Sequence, residues 1–442
     1  MTGKSGVARL TDFPDAESVW LAVPDLNGQP RGKRMPAAKA EKLWSGTVKM
    51  PLSSLSLDIF GDDVADSPLV FETGDQDGFL RPTSRGPVSM PWASQGALLL
   101  PMSMEHAPGQ PFGGDPRDAL KAVLLRYAAR GWHVQAATEL EFFLFHDDTA
   151  DPVAERLRVG GDILGLRSLE AYDAFLSALY AACATMGLPA ETATSESGRG
   201  QFEVTLTHGP ALKAADDTWL FKMLVKGLAR QFGMTATFMA KPFDGDAGNG
   251  LHMHFSITDD AGLNIFDDGG EAGTDAMRHA VGGCLATMAE ATLVFAPHEN
   301  SYRRFVPGAH APMGLSWGYE NRTVAVRIPA GPGSARRIEH RVAGGDANPY
   351  LLFSAVLGGA FLGIEDGIAP PDPITGNAYA LNLAGLAADW GAALDMFEAG
   401  ARMKRLFPLE LIEQFVCQKR QEIRRITDLS DEERRLLYLD GV

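Results

Sequence analysis

A strand that carries two glutamates on one face is the feature that most restricts how this chain can fold. Glu139 and Glu141 are separated by one residue, so on a β-strand both side chains point to the same face. Phe142, Phe143 and Phe145 follow, which makes a solvent-exposed pair the weaker alternative. Like charges side by side on a sheet destabilise it unless a cation or strong donors lie between them. The stretch therefore predicts a buried strand that faces positive charge.

Two further stretches repeat this pattern of polar side chains on an apolar strand. Glu203 stands between Phe202 and Val204, and the glycine-containing turn before it would let Glu196 reach the same cleft. His252, His254 and Ser256 share one face of the segment Leu251 to Ile257. A single buried histidine is usually a satisfied core residue, but two at this spacing suit a metal ligand or a hydrogen-bond donor to phosphate.

These segments supply six candidate metal ligands, five of them carboxylates. Hard oxygen donors with at most one imidazole favour Mg²⁺ or Mn²⁺ over zinc. The candidates are Glu139, Glu141, Glu196, Glu203, His252 and Glu339.

Residues 300 to 350 contain seven arginines, no lysine and three acids, in a chain whose net charge is −16. On a strand, Arg337, Glu339 and Arg341 share one face. That face is either a plain ion-pair ladder or a metal ligand between anion-binding guanidiniums. Together with the carboxylates, the arginines indicate a phosphoryl-transfer site. The sequence has neither a Walker A motif nor a set of kinase loops, so this would be a different kind of nucleotide site.

Length and composition limit the class of protein. A chain of 442 residues predicts two domains. The acidic balance argues against nucleic-acid binding. Three widely spaced cysteines form neither a disulfide framework nor a metal motif, and we find no apolar run of signal-peptide or membrane-spanning type. We therefore expect a cytoplasmic protein with no membrane or nucleic-acid partner.

The order of strand and helix patterns predicts an α+β fold. The N-terminal part reads as short strands, with a hairpin turn at Asn27-Gly28 and a strand from Ser53 to Ile59. A Pro/Gly-rich linker is expected from Ala107 to Pro116. Beyond it strands alternate with helices, one of them from Ala272 to Phe295. The domain boundaries fall at residues 15–107 and 112–442.

Six motifs, in the family's order, resemble the type I glutamine synthetase family. They are Glu139-Leu-Glu141, the stretch Glu196 to Glu203, the loop and strand Lys241 to Ser256, Asn300 to Gly308, Asn321 to Pro329, and Arg337 to Arg341 followed by Ala347 to Tyr350. The resemblance implies an N-terminal β-grasp domain and a catalytic domain with a curved antiparallel sheet. It also implies a homo-oligomer, a dodecamer of two hexameric rings, with sites shared between neighbouring subunits.

The resemblance also implies a reaction and a role for each matched residue. ATP would phosphorylate glutamate, and an amine would then displace phosphate from γ-glutamyl phosphate. One of two or three Mg²⁺ or Mn²⁺ ions would be held by Glu141, Glu196 and Glu203, and another by Glu139, His252 and Glu339. Arg304, Arg322 and Arg341 would bind glutamate and the transferring phosphoryl group, with Gly248 beside the glutamate. The nucleotide would contact His254, Ser256, Arg327 and Arg337.

Three departures from the family motifs separate this chain from enzymes that use ammonium. Pro51 stands where those enzymes have an ammonium-binding aspartate, and His310 replaces the glutamate that deprotonates ammonium. Ala247 replaces an asparagine of the glutamate loop. The pattern resembles the γ-glutamylpolyamine (γ-glutamylputrescine) synthetase branch, so we expect a glutamate–amine ligase with His310 as a candidate base. The alternatives are a glutamine synthetase and a regulatory homologue without turnover.

Overall fold

The computed structural model describes residues 9–43, 46–146, 161–306 and 311–442. Its strands form two sheets. The seven-stranded N-terminal sheet contains β1 (Ser18–Pro24), β2 (Pro30–Pro36), β3 (Lys49–Pro51), β4 (Asp77–Pro82), β5 (Val88–Ser89), β6 (Ala97–Ala107) and β7 (Gln110–Pro111). The eight-stranded sheet contains β8 (Trp132–His146), β9 (Ala190–Ser195), β10 (Gln201–Pro210), β11 (Met234–Thr237), β12 (Leu251–Asp259), β13 (Trp317–Tyr319), β14 (Val326–Ile328) and β15 (Ile338–His340).

The α-helices of the described residues pack mainly against the eight-stranded sheet. They are α1 (Pro68–Phe71), α2 (Pro116–Ala128), α3 (Leu166–Ala171), α4 (Asp173–Met186), α5 (Ala211–Gln231), α6 (Asp275–Met288), α7 (Thr292–Phe295), α8 (Pro349–Asp366), α9 (Trp390–Ala399), α10 (Ala401–Leu406), α11 (Leu409–Ile426) and α12 (Asp431–Gly441). None of these helices is both long and apolar enough to cross a membrane. The predicted α+β class is confirmed.

The N-terminal sheet begins with the predicted hairpin. Gly28 has φ +79°, which a residue without a Cβ adopts without strain, and β1 pairs antiparallel with β2 on either side of the turn. On its other edge β1 pairs in parallel with β6. The division of the chain at residues 107 and 112 stays a prediction, although the linker expected from Ala107 to Pro116 contains the short strand β7.

The strand predicted from Ser53 to Ile59 is wrong. Residues Leu52–Leu55 form a single 3₁₀ turn instead. Its serines explain the error, because Ser54 Oγ donates to the Pro51 carbonyl (2.5 Å) and the Ser56 N–H donates to the Ser53 carbonyl (2.8 Å). Such local side-chain and turn hydrogen bonds compete with a strand ladder.

The second sheet is built around the fifteen-residue strand β8, which pairs antiparallel with β10, β11 and β12. The order of the main path is β13-β14-β15-β12-β8-β10-β9. A register shift between Leu206 and Gly209 interrupts the pairing of β10 with β8, and such irregularities bend a sheet. The predicted antiparallel sheet needs one correction, because β13 pairs in parallel with β14.

Helices α6 and α8 pack with unusually close backbones behind this sheet. A Cβ added to Gly283 would lie 2.1 Å from the Gly359 carbonyl oxygen, so glycine is required at the crossing. Helix α6 is shorter than the single helix predicted from Ala272 to Phe295. It begins after Thr274, whose side chain accepts from the Met277 N–H, and the chain forms the separate short helix α7 at Thr292.

A buried ionic network joins the N-terminal sheet to helix α11. Glu422 accepts hydrogen bonds from Asn27 Nδ2 (2.9 Å), the Ile59 N–H (2.9 Å) and Lys419 Nζ (2.8 Å). Lys419 Nζ also donates to Asn27 Oδ1 (2.6 Å). Both charged side chains are completely buried. The hairpin tip and the segment after the 3₁₀ turn are thus fixed by one carboxylate nearly 400 residues away in the chain.

This network gives a stability prediction. Replacing Glu422 with Gln removes one charge and leaves the buried Lys419 ammonium without its counter-ion. The free energy of unfolding, measured with urea, should fall by about 3 kcal/mol. The matched control is Glu398→Gln, because Glu398 forms a half-exposed pair with Arg420 and its loss should change the same quantity by less than about 0.5 kcal/mol. Equal small effects would mean that the network does not hold the two parts together.

Candidate active site

Strand register brings the predicted carboxylates together. Glu203 on β10 lies directly opposite Glu141 on β8. On the other side of β8, His252 of β12 lies opposite Glu139, and His254 of β12 lies opposite Glu339 of β15. Side chains directly opposite on neighbouring strands lie about 5 Å apart. Four strands that are distant in sequence therefore meet on one face of the sheet.

The first group of ligands is a triangle of three carboxylates. One oxygen from each of Glu141, Glu196 and Glu203 lies within 4.8 Å of the others, as the resemblance implied for one metal ion. The Gly250 N–H donates to Glu141 Oε2 (2.6 Å). The three side chains are part-buried rather than solvent-exposed. Oxygen donors at this separation suit a hard divalent cation.

The second group centres on Glu139, which lies between two histidines. His252 Nδ1 is 3.2 Å from Glu139 Oε2, and His254 Nε2 is 3.0 Å from Glu139 Oε1. Candidate ligand atoms come together as Glu139, His252 and Glu203, and as Glu139, His254 and Glu339. Within the described residues, Glu339 is thus grouped with His254 rather than with His252. The expected set of Glu139, His252 and Glu339 does not appear as one triangle.

The carboxylates show the electrostatic strain that the sequence pattern predicted. Burial, followed by the charges of Glu139, Glu141 and Glu196, raises the pKa of Glu203 from 4.5 to about 9. Burial and the Glu141 charge raise the pKa of Glu196 to about 7. Burial alone would also raise the pKa of Glu139, but the hydrogen bonds from His252 and His254 outweigh it and hold that pKa well below its usual range. A divalent cation would remove the repulsion that keeps Glu203 protonated.

A row of alternating charges runs from this group into the arginine-rich segment. Arg327 Nη1 donates to Glu339 Oε2 (2.8 Å), its Nη2 donates to Glu320 Oε1 (3.0 Å), and Arg341 Nη1 donates to Glu339 Oε1. Burial raises the pKa of Glu339, but the Arg341 charge and then those of His254 and His252 lower it to about 2. The Nε atoms of Arg327 and Arg341 are buried and have no hydrogen-bond partner among the residues that the structure describes. These contacts fit both interpretations of the strand face that carries Glu339: an ion-pair ladder, and a metal ligand between two guanidiniums.

Arg304 and Gly248 are in contact, as expected for the two sides of a glutamate site. Arg304 is buried, its Nη1 donates to the Val342 carbonyl (2.7 Å), and a Cβ on Gly248 would lie 2.9 Å from Arg304 Cγ. Gly248 therefore lies too close to this arginine for a larger residue. Arg322 lies at an exposed turn before β14, where its charge favours the ionised form of Glu196.

A cleft of about 460 Å³ opens beside Glu139 and is lined by three of the four residues predicted to contact nucleotide, His254, Ser256 and Arg337. Arg337 Nε donates to His254 Nδ1 at 3.4 Å. The fourth, Arg327, lies one strand away, opposite Glu339. A cleft flanked by Glu139 and by the Arg337 guanidinium has the size and the charged groups to hold a nucleoside triphosphate.

Other sequence predictions are placed elsewhere. Arg303 pairs with Glu299 and Asp431, and Arg336 pairs with Asp268, so these two arginines do not join the row of charges. Pro51 ends β3 in the N-terminal sheet. The Ala247 N–H donates to Asp246 Oδ1 in the glutamate loop (2.8 Å). His310 lies outside the described residues.

Two amides that hold the site were not singled out from the sequence. Gln201 Nε2 donates to the Gly248 carbonyl (3.0 Å) and to Asn249 Oδ1 (3.0 Å), and Asn249 Nδ2 donates to the Met239 carbonyl (2.9 Å). These bonds fix the loop that carries Gly248 and Asn249 to strand β10. The sequence signal that could have identified Gln201 was its spacing, because Gln201 shares a strand face with Glu203.

Comparisons with known proteins agree with this geometry. The model of the glutamine synthetase catalytic domain matches residues 113–437. The chain is 33% identical to the γ-glutamylputrescine synthetase PuuA of Escherichia coli K12, over 83% of this chain and 80% of that one. It is 30% identical to a glutamate–isopropylamine ligase of Pseudomonas, over 99% and 98%. Glutamine synthetases are also among the relatives, with 32% identity to that of Pyrococcus abyssi over 95% of this chain and 92% of that one.

The fold of this chain also matches that of solved structures. The solved structure of a GmaS/ADP complex superposes with a TM-score of 0.84 and 28% identity, covering 97% of this chain and 98% of that chain. The family recognised from the six motifs is thereby confirmed, and relatives of the γ-glutamyl-amine type are present, as the departures predicted. The chain belongs to the glutamine synthetase family of ATP-dependent ligases.

Proposed function

We propose that this protein joins the γ-carboxylate of glutamate to an organic amine through γ-glutamyl phosphate, at the expense of ATP. The observation that carries the proposal is the strand register that places the carboxylate groups beside the Arg327–Glu339–Arg341 row and the nucleotide-sized cleft. The relatives named as γ-glutamylputrescine synthetase and glutamate–isopropylamine ligase support an amine as the second substrate.

The donor set fits the divalent cations that the family uses. We assign Glu141, Glu196 and Glu203 to one Mg²⁺ or Mn²⁺ ion. The family resemblance assigns Glu139, His252 and Glu339 to another ion, although here Glu139 groups with His252 and Glu203 and, separately, with His254 and Glu339. The family stoichiometry is two or three ions per site. His254 contacts Glu139 and also lines the nucleotide-sized cleft. We therefore assign His254 to the boundary between the second metal site and the nucleotide site. Bound cations would neutralise phosphate charge and orient the γ-phosphoryl group.

The first step follows from the charges around the cleft. An oxygen of the glutamate γ-carboxylate attacks the γ-phosphorus of ATP, the bond to ADP breaks, and γ-glutamyl phosphate forms. Arg304, Arg322 and Arg341 would hold the glutamate and the transferring group, while Arg327 and Arg337 would face the nucleotide phosphates. Fixed guanidiniums stabilise the negative charge that develops on the equatorial oxygens without reorganising. The Nε atoms of Arg327 and Arg341, which have no partner in the described part of the chain, are donors available to such an anion.

In the second step the amine nitrogen attacks the acyl carbon, and phosphate leaves with the oxygen that came from glutamate. A primary amine reaches the site as an ammonium ion and must first lose a proton. We assign this proton to His310, because a neutral imidazole with a pKa near 6.5 accepts a proton at physiological pH. The competing possibility is that water or phosphate takes the proton.

The choice of amine over ammonium rests on Pro51 and His310. Enzymes of the family that use ammonium would have a carboxylate at each position, and two carboxylates would attract a small cation. The alternatives are a glutamine synthetase, which the relatives of that name favour, and a regulatory homologue, which the complete set of carboxylates and arginines disfavours.

The proposal includes an oligomeric state and a cellular compartment. We propose a homo-oligomer, a dodecamer of two hexameric rings, in which Pro51 of the N-terminal sheet lies near the site of a neighbouring copy. The support is family membership. We further propose a cytoplasmic location, to which three free cysteines are suited.

From the carboxylate triangle we predict that repulsion between its three side chains destabilises the metal-free protein. The Glu203 carboxyl group binds its proton more tightly in the folded chain, so its contribution to stability is complete below pH 4.5 and is lost as the pH rises to about 9. At pH 8, Glu203→Gln should therefore melt a few degrees higher than wild type without metal. It should also lose activity and most of the melting-temperature increase that Mg²⁺ or Mn²⁺ gives the wild type.

The control for this experiment is Glu170→Gln on the exposed face of α3, which should leave the melting temperature and its metal response unchanged. A wild-type melting temperature that does not respond to either cation would contradict the metal assignment.

The departures at residues 51 and 310 predict the order of substrate preference. Ammonium should give a lower kcat/KM than the best primary amine, diamine or polyamine in a panel, because it lacks charge-assisted contacts worth about 1.5–3 kcal/mol each. Replacing His310 with Glu should raise the ratio of ammonium use to amine use, measured as amide formed. If ammonium is the best substrate of the wild type, the enzyme is a glutamine synthetase.

A further inference from the structure

A short turn outside the family motifs is fastened to the turn that carries Arg322. The Ala378 N–H donates to Thr323 Oγ1 (2.9 Å), and Asn321 Nδ2 donates to the carbonyls of Ile374 (3.0 Å) and Gly376 (2.8 Å). Residues Ala378–Ala380 form one 3₁₀ turn here, which Asn377 caps. The two turns therefore hold each other in place at the glutamate side of the site.

Tyr379 lies on this turn with its hydroxyl group buried and without a hydrogen-bond partner among the described residues. The side chain as a whole is only half-buried, so the ring has room at the surface while its polar end points inward. A buried polar atom without a partner is costly and uncommon in folded proteins. At the edge of a substrate site, a ligand is the partner that explains it.

The charges that act on this hydroxyl group belong to the glutamate-binding arginines. Burial raises the pKa of Tyr379, and the neighbouring Arg341 and Arg304 act in the opposite direction. The same interaction acts on Arg304, where Tyr379 is among the groups that oppose the effect of burial. The hydroxyl group therefore stays protonated at neutral pH and is a donor on which the positive charges of Arg341 and Arg304 act.

We propose that Tyr379 is a substrate-contacting residue whose hydroxyl group donates a hydrogen bond to the glutamate carboxylate held by Arg304 and Arg341. This inference rests on the proposed function and extends it to a residue of the acyl-substrate subsite. Two guanidiniums repel an ammonium group, so the amine is not the partner of this hydroxyl group. An anion satisfies the arginines and the tyrosine together.

The test is Tyr379→Phe, which keeps the ring and removes only the donor. A hydrogen bond to a charged group is worth enough that KM for glutamate should rise by about tenfold or more. KM for ATP and for the best amine should stay within about twofold, and the melting temperature should not fall. Tyr438→Phe is the matched control, because Tyr438 is a buried tyrosine of α12 that packs on His298, and its variant should keep all three KM values.

Two results would overturn the proposal. One is an unchanged KM for glutamate in Tyr379→Phe. The other is an equal rise of all three KM values with a lower melting temperature, which would show that the tyrosine only supports the fold. A second measurement separates this proposal from the proposed function: the melting-temperature increase caused by glutamate in the presence of Mg²⁺ and ADP, without an amine. Tyr379→Phe should reduce that increase even if the wild type makes no amide.

Discussion

The pairing of Glu203 with Glu141 across two adjacent strands is the constraint on which the rest of this structure depends. A one-residue slip of β10 against β8 would send Glu203 to the other face of the sheet and bring Phe202 to the cleft. The apolar side chains Phe142, Phe202 and Val204 are buried on the opposite face and fix the register. The hydrophobic core thus holds together carboxylates that repel each other.

Some surrounding residues reduce the repulsion between the carboxylates by donating hydrogen bonds to them. Others leave groups that a bound cation or anion would neutralise. The Gly250 N–H contacts Glu141 and the two histidines contact Glu139 without any cation, whereas no described residue donates a hydrogen bond to the Glu203 carboxyl group, whose pKa is raised by burial. Arg327 and Arg341 both donate to Glu339, and within the described ranges their Nε atoms have no hydrogen-bond partner. A site in this state gains from binding a cation and an anion together, which is what metal-bound ATP provides. Part of the fold's stability is given up for that purpose.

Much of the site was predictable because period-2 spacing puts Glu139 with Glu141, and His252 with His254, on one strand face whatever the fold. The grouping of His254 with Glu339 was not predictable, because it depends on the register of β12 against β15. These two strands are separated by about eighty residues. The 3₁₀ turn at Leu52–Leu55 was missed because its serines suit a turn as well as an apolar strand. The network of Lys419 and Glu422 could not be anticipated either, since charged residues on a helix usually indicate a solvent-exposed face. Tyr379 carries no motif, and only the folded chain brings it to the arginines.

The central claim is that this arrangement ligates glutamate to an amine through an acyl phosphate. It is tested most directly with glutamate labelled with ¹⁸O in its γ-carboxylate, incubated with the enzyme, ATP, Mg²⁺ and the best amine of a panel. The account predicts that one labelled oxygen appears in the inorganic phosphate for each γ-glutamyl amide formed, as measured by mass spectrometry. Amide formation with unlabelled phosphate, or ATP hydrolysis with no amide from any amine, would contradict it.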